Sequence, residues 1–317
     1  MATVQLANSI NGYVAKLVIR QTSRHTLLVE GDSDRVILSS LLIRAGRDPK
    51  LPPVVIDSAD TIKSTGIGNR ERVEAVHKSA KANGVDNYAC LVDREFRNFH
   101  CTAPYRDDLP LHQVHEDVLF WTRGHSVENY LFVLDSVIRC LEIAHASVLP
   151  PDYRGLVTAA FNAIMVEALA FSLAAQGSSL ITKADKVVTM QAWGRDANGN
   201  PALGIKQISG LLAARAASAA SLVQLENLFL EHRGDILAAP PPFSRWLTHG
   251  HLGTQILWTG IGFLFSGFGI AADVLEQFCR GQNDMKSRIC ADLWASRCEA
   301  NSADETPNAL MKWLSGK

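Results

Sequence analysis

The sequence has little of what marks several common classes of protein. Its six cysteines include no C-x-x-C pair, which excludes a cysteine zinc site or redox motif of that spacing. It also lacks an excess of charge of one sign, because 31 Lys and Arg residues nearly cancel 32 Asp and Glu residues. The chain therefore does not bind nucleic acid through bulk positive charge, and any such site is local. We expect the cysteines to be reduced, buried thiols of an intracellular protein.

The N-terminus lacks the charged segment and the apolar run of a signal peptide. One uncharged stretch, over 252–272, is long enough to span a bilayer. It contains five glycines and has no flanking cluster of Lys and Arg. We expect buried helices broken near Gly267–Gly269, a cytoplasmic protein and no membrane partner.

The length of 317 residues and the apolar fraction of 47% predict a globular chain of two domains. Strand-like and helix-like segments alternate over the first 130 residues, with strands predicted over 25–30, 53–57, 88–92 and 118–122. This βαβαβ pattern predicts a parallel sheet flanked by helices. A helix is predicted over 135–146. The segments over 155–175 and 205–231 are rich in Ala and Leu, which predicts helices there as well. The polar, glycine-containing segment over 193–201 predicts a loop. We predict an α/β domain over 1–135 and a mainly helical domain over 136–317 that packs on it and serves interaction or oligomerisation.

Acidic residues follow three of the predicted strands. Glu30 ends the first strand and Asp34 lies beyond it, Asp93 ends the third with Glu95 two residues on, and Glu128 follows the fourth. If the first and third strands are neighbours, Glu30 and Asp93 converge at the carboxyl edge of the sheet. Carboxylates that lie close together repel one another, and a hard divalent cation such as Mg²⁺ removes that repulsion. The pattern therefore favours a metal site over a bare acid–base pair.

Each acidic motif also has an ordinary structural interpretation, which the residues alone leave open. Glu-Gly after a strand is commonly a turn. The motif from Asp93 to Glu95 is also typical of a helix cap or a solvated face, and Glu128 of a stabilised helix start.

Basic and glycine residues near the predicted edge are candidates for contact with a nucleic acid. The loop over 63–70 offers Lys63 and Gly66 to a phosphate at the following helix start, or is a plain turn. It is not a Walker A motif, since the G-K-[ST] ending is absent. Arg94 and Arg97 are predicted to lie at the rim together with Trp121 and Arg123, where ordinary surface arginines are the alternative.

Three segments together resemble a known set of motifs: VEGDSD at 29–34, LVDREF at 91–96 and HSVENYL at 125–131. They resemble a TOPRIM domain, and in particular the stand-alone TOPRIM proteins related to OLD-family nucleases. Among these are the effectors that work beside an ABC-type ATPase in PARIS anti-phage systems. The resemblance covers about residues 24–135 and implies a TOPRIM-like parallel sheet flanked by helices. In the helical part, a short Gly250–His251 stretch is the one candidate motif.

The resemblance implies a role for each acidic residue. Glu30 would be the metal-associated acid that serves as general acid or base, Asp93 a direct Mg²⁺ ligand, and Glu128 a late acidic ligand. Asp34 would support a second metal or its waters. Glu95 stands where the family usually has Asp, so its extra methylene changes the reach and angle of that ligand and puts full two-metal geometry in doubt.

The resemblance also implies a function and partners. Gly31 would let the backbone approach metal or phosphate closely, and His125 would position phosphate or transfer a proton, a core or capping histidine being the alternative. The cofactor would be one or two Mg²⁺ or Mn²⁺ ions. The expected activity is endonucleolytic cleavage of tRNA, other RNA or DNA by a toxic effector. An ABC-type ATPase would control the effector, which would be a homodimer when active.

Two other functions stay open. A non-catalytic TOPRIM-like interaction module is favoured by Glu95. A small-molecule α/β phosphohydrolase is the third, although that class often has aspartates on its first strand, whereas the first strand here ends in Glu-Gly.

Overall fold

A computed structural model describes residues 9–64, 66–109, 113–280, 284–299 and 306–316. The strands are β1 (His25–Val29), β2 (Val54–Ser58), β3 (Tyr88–Val92), β4 (Phe99–His100), β5 (Arg106–Asp107), β6 (Gln113–Glu116), β7 (Leu119–Trp121), β8 (Trp193–Arg195) and β9 (Pro201–Leu203). The helices are α1 (Ile10–Arg20), α2 (Asp32–Arg44), α3 (Asn69–Ala82), α4 (Leu134–His145), α5 (Tyr153–Gly177), α6 (Ile181–Ala184), α7 (Ile205–Ala214), α8 (Ala219–Ala238), α9 (Ser244–Leu247), α10 (Gly250–Phe265), α11 (Ala272–Cys279), α12 (Asp284–Glu299) and α13 (Asn308–Ser315).

The chain divides into two compact units, each described by itself. The first unit contains Met1–Arg94, Leu109–Val127 and Ala291–Lys317. The second unit contains Glu95–Asp108 and Glu128–Cys290. This division differs from the predicted one at 135, since the last residues of the chain belong with the α/β part.

The first unit is built on a five-stranded sheet in the order β2-β1-β3-β7-β6. The first four strands are parallel, and β6 pairs antiparallel with β7. Leu27 of β1 lies opposite Ile56 on one side and Ala89 on the other. The chain thus passes from β1 to β2 on one side and then to β3 on the other, which makes β1 and β3 the topological switch point of the sheet. The α/β fold with a parallel sheet flanked by helices is confirmed, and the antiparallel edge strand β6 was not predicted.

One buried layer joins the sheet to α1 and α3. Tyr88, Cys90 and Val92 alternate along β3 and belong to the same core cluster as Leu17 of α1 and Val76 of α3. A period of two residues places these strand side chains on one face of the sheet. Burying a side chain of this size stabilises a fold by about 1.5–3 kcal/mol.

Asp57 in β2 holds α1, a helix that the sequence analysis did not predict. The Oδ2 atom of Asp57 accepts hydrogen bonds from Tyr13 Oη at 3.0 Å, Lys16 Nζ at 2.8 Å and Arg20 Nη1 at 3.0 Å. Burial alone raises the pKa of Asp57, but the hydrogen bond and charge of Lys16, together with Tyr13 and Arg20, outweigh burial and lower the pKa below its usual value. The ionised carboxylate therefore stabilises the first unit.

The C-terminal helix α13 packs beside α2 in the first unit. Arg47 Nη1 donates a hydrogen bond to the Leu314 carbonyl at 2.8 Å, and Arg47 Nη2 lies 3.1 Å from His25 Nδ1. The His25 and Trp313 rings are 5.9 Å apart between centroids. Leu310 and Leu314 are buried, so the apolar face of α13 explains why the chain returns to the α/β unit.

In the second unit, α5 packs against α8 and α10. The loop predicted over 193–201 is instead a β-hairpin of β8 and β9, and Asp196 Oδ1 organises its turn by accepting the Asn200 N–H at 2.9 Å. The helix predicted over 205–231 is two helices, α7 and α8. They separate where Ala216 adopts a left-handed backbone with φ +57 and Ser218 caps α8.

Two apolar helices of the second unit bear on the membrane question. By length and composition α5 is apolar enough to cross a membrane, but 67% of its most apolar window is buried within the structure. The apolar stretch over 252–272 is the mostly buried helix α10 followed by a 3₁₀ turn and by Gly269 with φ +70. The predicted break near Gly267–Gly269 is confirmed, and this burial is compatible with a soluble protein. All six cysteines are free thiols, four of them buried as expected, whereas Cys101 and Cys279 are half-buried.

Replacing Asp57 by Asn should lower the free energy of unfolding by about 2 kcal/mol at neutral pH, because it weakens several charge-assisted hydrogen bonds at once. The pKa of Asp57 is lower in the folded than in the unfolded chain. Its contribution is therefore fully present above the unfolded value of about 3.9 and is lost as the pH falls through the folded value. Urea unfolding should show the difference between wild type and Asp57→Asn shrinking below about pH 4.

The matched control is Asp86→Asn. Asp86 is exposed and accepts a hydrogen bond from Gln21 Nε2, which an Asn oxygen still accepts. This variant should change the free energy of unfolding by less than about 0.5 kcal/mol. A difference between wild type and Asp57→Asn that stays constant from neutral to acid pH would contradict the role of the ionised carboxylate.

Candidate functional site

Glu30 and Asp93 meet at the switch point of the sheet. Glu30 directly follows β1 and Asp93 directly follows β3, and the two strands are neighbours. Glu30 Oε1 accepts a hydrogen bond from the Asp93 backbone N–H at 2.8 Å. Asp93 Oδ1 in turn accepts the Val127 backbone N–H at 3.3 Å. The predicted convergence of Glu30 and Asp93 is confirmed.

A further carboxylate at this end of the sheet escaped the sequence analysis. Asp60 lies in a 3₁₀ turn just after β2, the other neighbour of β1. Its Oδ2 atom accepts hydrogen bonds from the Asp32 N–H at 3.2 Å and from Ser58 Oγ at 3.0 Å, and its Oδ1 atom accepts Asn69 Nδ2 at 2.5 Å. The available signal was the S-x-D sequence directly after a predicted strand. We call Glu30, Asp34, Asp60 and Asp93 the acidic edge.

Asp34 closes the start of α2. Its Oδ2 atom accepts the Gly31 backbone N–H at 2.9 Å, which is one half of a capping box, and Gly31 has no side chain to supply the other half. At the start of α3, Glu71 Oε2 likewise accepts the Gly68 backbone N–H at 2.8 Å. The positive end of each helix is thus already next to a carboxylate. A phosphate bound by the loop over 63–70 would have to compete with Glu71 for the start of α3.

The two glycines predicted at the site, Gly31 and Gly66, differ in whether the backbone conformation there requires glycine. Gly31 has an extended backbone with φ −137, and a Cβ there would meet its nearest neighbour, Ser33 Oγ, at an ordinary 3.7 Å. The fold itself therefore does not require glycine at 31. Gly66 has φ +81, a left-handed conformation in which glycine is favoured. Lys63, in the same loop, is exposed.

Arg94 lies in the interior of the protein, with 1% of its surface exposed. Its backbone N–H donates to Thr122 Oγ1 at 2.9 Å, and its guanidinium donates to the carbonyl oxygens of Leu109 at 2.9 Å and Arg123 at 3.1 Å. The prediction that Arg94 lies at the rim, available to substrate, is wrong, because the guanidinium joins neighbouring loops. Arg123 is buried as well, and Trp121 is half-buried.

The remaining predicted residues divide between the two units. His125 is buried in the first unit, whereas Glu95, Arg97 and Glu128 belong to the second. Glu95 has φ +55, which is uncommon for a residue with a side chain. Arg97 is half-buried. The first unit therefore contains Glu30, Gly31, Asp34 and Asp93. The other two predicted acidic residues, Glu95 and Glu128, belong to the second unit.

Within the second unit, buried Glu128 pairs with His251. His251 Nε2 lies 3.2 Å from Glu128 Oε1. The rings of His251 and His249 meet edge to face at 6.1 Å between centroids. Burial, with a smaller effect of His251, lowers the pKa of His249 to about 4, so His249 is neutral at neutral pH.

Among the described residues, no group of three or more His, Cys, Asp or Glu side chains is arranged to hold a metal ion. Glu30 and Asp93 nonetheless provide two carboxylates at one place. Mg²⁺ in proteins is commonly held by one or two carboxylates, with water and substrate phosphate completing its octahedron. The donor chemistry of the pair fits this open mode of binding and not a closed site made entirely of protein ligands.

The comparisons with known proteins assign no family to the chain. No protein-family model matches it, and neither does any curated protein. The TOPRIM resemblance thus depends on the three sequence motifs alone.

Replacing Asp34 by Ala should lower the free energy of unfolding by about 1 kcal/mol, the usual effect of losing a helix cap. Glu71→Ala, which removes the same kind of cap from α3, should have a similar effect. Asp34→Asn should keep most of the stability because an amide oxygen still accepts the Gly31 N–H. Urea unfolding of the three variants measures this. Destabilisation by Glu71→Ala without destabilisation by Asp34→Ala would show that Asp34 is not a cap.

Proposed function

We propose that the first unit is a TOPRIM-like catalytic domain and that the protein is a Mg²⁺-dependent endonuclease that cleaves RNA or DNA. The observation behind this proposal is the 2.8 Å hydrogen bond from the Asp93 N–H to Glu30 Oε1 at the switch point. The E-G-x-x-D and D-x-E motifs follow the two strands that a site of this kind requires.

Glu30, Asp93 and the neighbouring Gly31 have distinct roles in this proposal. The bond between Glu30 and the Asp93 backbone fixes both carboxylates at the ends of β1 and β3. A Cβ at Gly31 would lie 3.8 Å from Asp60 Oδ2 and 3.9 Å from Asp34 Oδ2, so glycine keeps this part of the acidic edge open. When bound, Mg²⁺ supplies an activated water or stabilises the leaving oxygen in phosphodiester cleavage.

The proposed biological setting follows from the motif resemblance. The nuclease would be a cytoplasmic toxic effector of anti-phage defence, held inactive by an ABC-type ATPase until infection. Free cysteines and the burial of α5 are compatible with this setting. A gene for such an ATPase next to the gene for this chain would support it.

A second candidate is a non-catalytic interaction module with a TOPRIM-like fold. Three observations favour it: Asp34 is engaged as a helix cap, Glu95 replaces the usual Asp, and the described residues contain no group of three metal-binding side chains. In this case the acidic edge would be a structural feature of the sheet.

The test is cleavage of tRNA, other RNA and DNA by the purified chain with Mg²⁺ or Mn²⁺. Glu30→Gln should slow cleavage by about 100-fold or more, because it removes the charge and keeps an oxygen for the Asp93 N–H. Gly31→Ala should slow cleavage while the free energy of unfolding stays within about 0.5 kcal/mol of wild type, since its Cβ meets no close contact in the chain.

Glu71→Gln is the matched control, because Glu71 accepts the Gly68 N–H at the start of α3 as Asp34 accepts the Gly31 N–H at the start of α2. It should cleave at the wild-type rate. Mn²⁺ binding, followed by electron paramagnetic resonance, should be weaker in Glu30→Gln than in wild type. No cleavage of any of these nucleic acids by wild type, together with no Mn²⁺ binding, would exclude the nuclease and leave the interaction module.

A further inference from the structure

Helix α8 has an apolar stripe on its solvent face. Val223, Leu230 and Leu237 recur every seven residues and are 60%, 60% and 56% exposed. The positions between them on the same face are also exposed and hold short side chains or none: Ala220, Asn227 and Gly234. The opposite face of α8 is buried in the second unit through Leu225, Phe229, His232 and Ile236. The stripe is therefore not part of the core of this unit.

The spacing of this stripe is that of a coiled-coil seam. Exposed positions alternate in steps of three and four from 220 to 237, so α8 presents two and a half heptads over 20 residues. A helix of this length spans about 30 Å. Large residues occupy every second position of the seam, and small or short residues occupy the others.

This alternation of sizes fits a second copy of the same helix in the opposite direction. If two α8 helices cross midway between 220 and 237, each large side chain faces a small one: Leu237 faces Ala220, Val223 faces Gly234, and Leu230 faces Asn227 of the second copy. A parallel pair would instead set Leu against Leu and Gly against Gly. That arrangement leaves a void at each small layer, and voids are destabilising.

The charges beside the seam disfavour a parallel pair. Glu226 flanks one side of the seam and Glu231 flanks the other. In a parallel pair, Glu226 would lie beside Glu231 of the second copy, and like charges repel. In the antiparallel pair, Glu231 lies beside the uncharged Gln224 of the second copy, so this repulsion is absent. Arg233 is already paired within its own unit, with Glu167 at 2.5 Å and with Asp196 at 3.6 Å, and does not set the direction.

We propose that this face is a homodimer interface, in which α8 packs antiparallel against α8 of a second copy of this chain. The two-fold axis passes the helix between residues 228 and 229, and Val223, Leu230 and Leu237 are the anchors. The inference concerns the second unit alone and does not depend on the nuclease proposal.

Sedimentation equilibrium of the full chain tests the interface. Wild type should show a concentration-dependent dimer. Leu230→Glu should raise the dimer Kd by at least about tenfold, equivalent to 1.4 kcal/mol, because it places a charge in the seam. Ile19→Glu, on a residue that is 81% exposed in α1 of the first unit, is the matched control and should leave the Kd unchanged. Circular dichroism should show both variants folded, since both sites are exposed.

The variant Glu231→Lys tests the direction of the pair. In a parallel dimer it would face Glu226 of the second copy and lower the Kd, because an attraction replaces a repulsion. In the antiparallel dimer it faces the uncharged Gln224 and should leave the Kd unchanged. A wild type that is monomeric at every concentration, a dimer unaffected by Leu230→Glu, or a Kd that is lower in Glu231→Lys would overturn the proposal.

Discussion

The hydrogen bond from the Asp93 backbone to the Glu30 carboxylate depends on the order in which the strands enter the sheet. β1 lies between β2 and β3, so the chain changes direction across the sheet after β2. The carboxyl ends of β1 and β3 consequently lie side by side, and residues 63 positions apart meet at 2.8 Å. Without this strand order, the motifs at Glu30 and Asp93 would be two unrelated turns.

The acidic edge shows how a sheet tolerates several carboxylates in one place. Each receives a backbone N–H from a neighbouring segment: Glu30 from Asp93, Asp93 from Val127, Asp34 from Gly31, and Asp60 from Asp32. Hydrogen bonds to ionised oxygens are stronger than those between neutral groups. The same backbone groups that fix these side chains therefore also offset part of their mutual repulsion. The preformed acidic edge is therefore compatible with a metal ion whose coordination shell is completed by water and substrate.

Sequence patterns predicted the parts of the structure that are local or periodic. The four parallel strands and the meeting of Glu30 with Asp93 followed from short apolar runs and from the residues at their ends. Other features depend on contacts between distant segments. The sequence pattern did not reveal that Asp57 would hold α1 or that α13 would return to the first unit, because each depends on a partner far along the chain. The interior position of Arg94 was missed for the same reason, since its bonds are to backbone carbonyls of other loops.

The central claim is that Glu30 and Asp93 form a site for a divalent cation. A crystal of the full chain grown with Mn²⁺ and examined by anomalous diffraction tests it most directly. The account predicts an anomalous peak at the acidic edge, bound through carboxylate oxygens of Glu30 and Asp93 or their waters. A well-ordered acidic edge with no ion, or an ion bound only elsewhere on the protein, would contradict it.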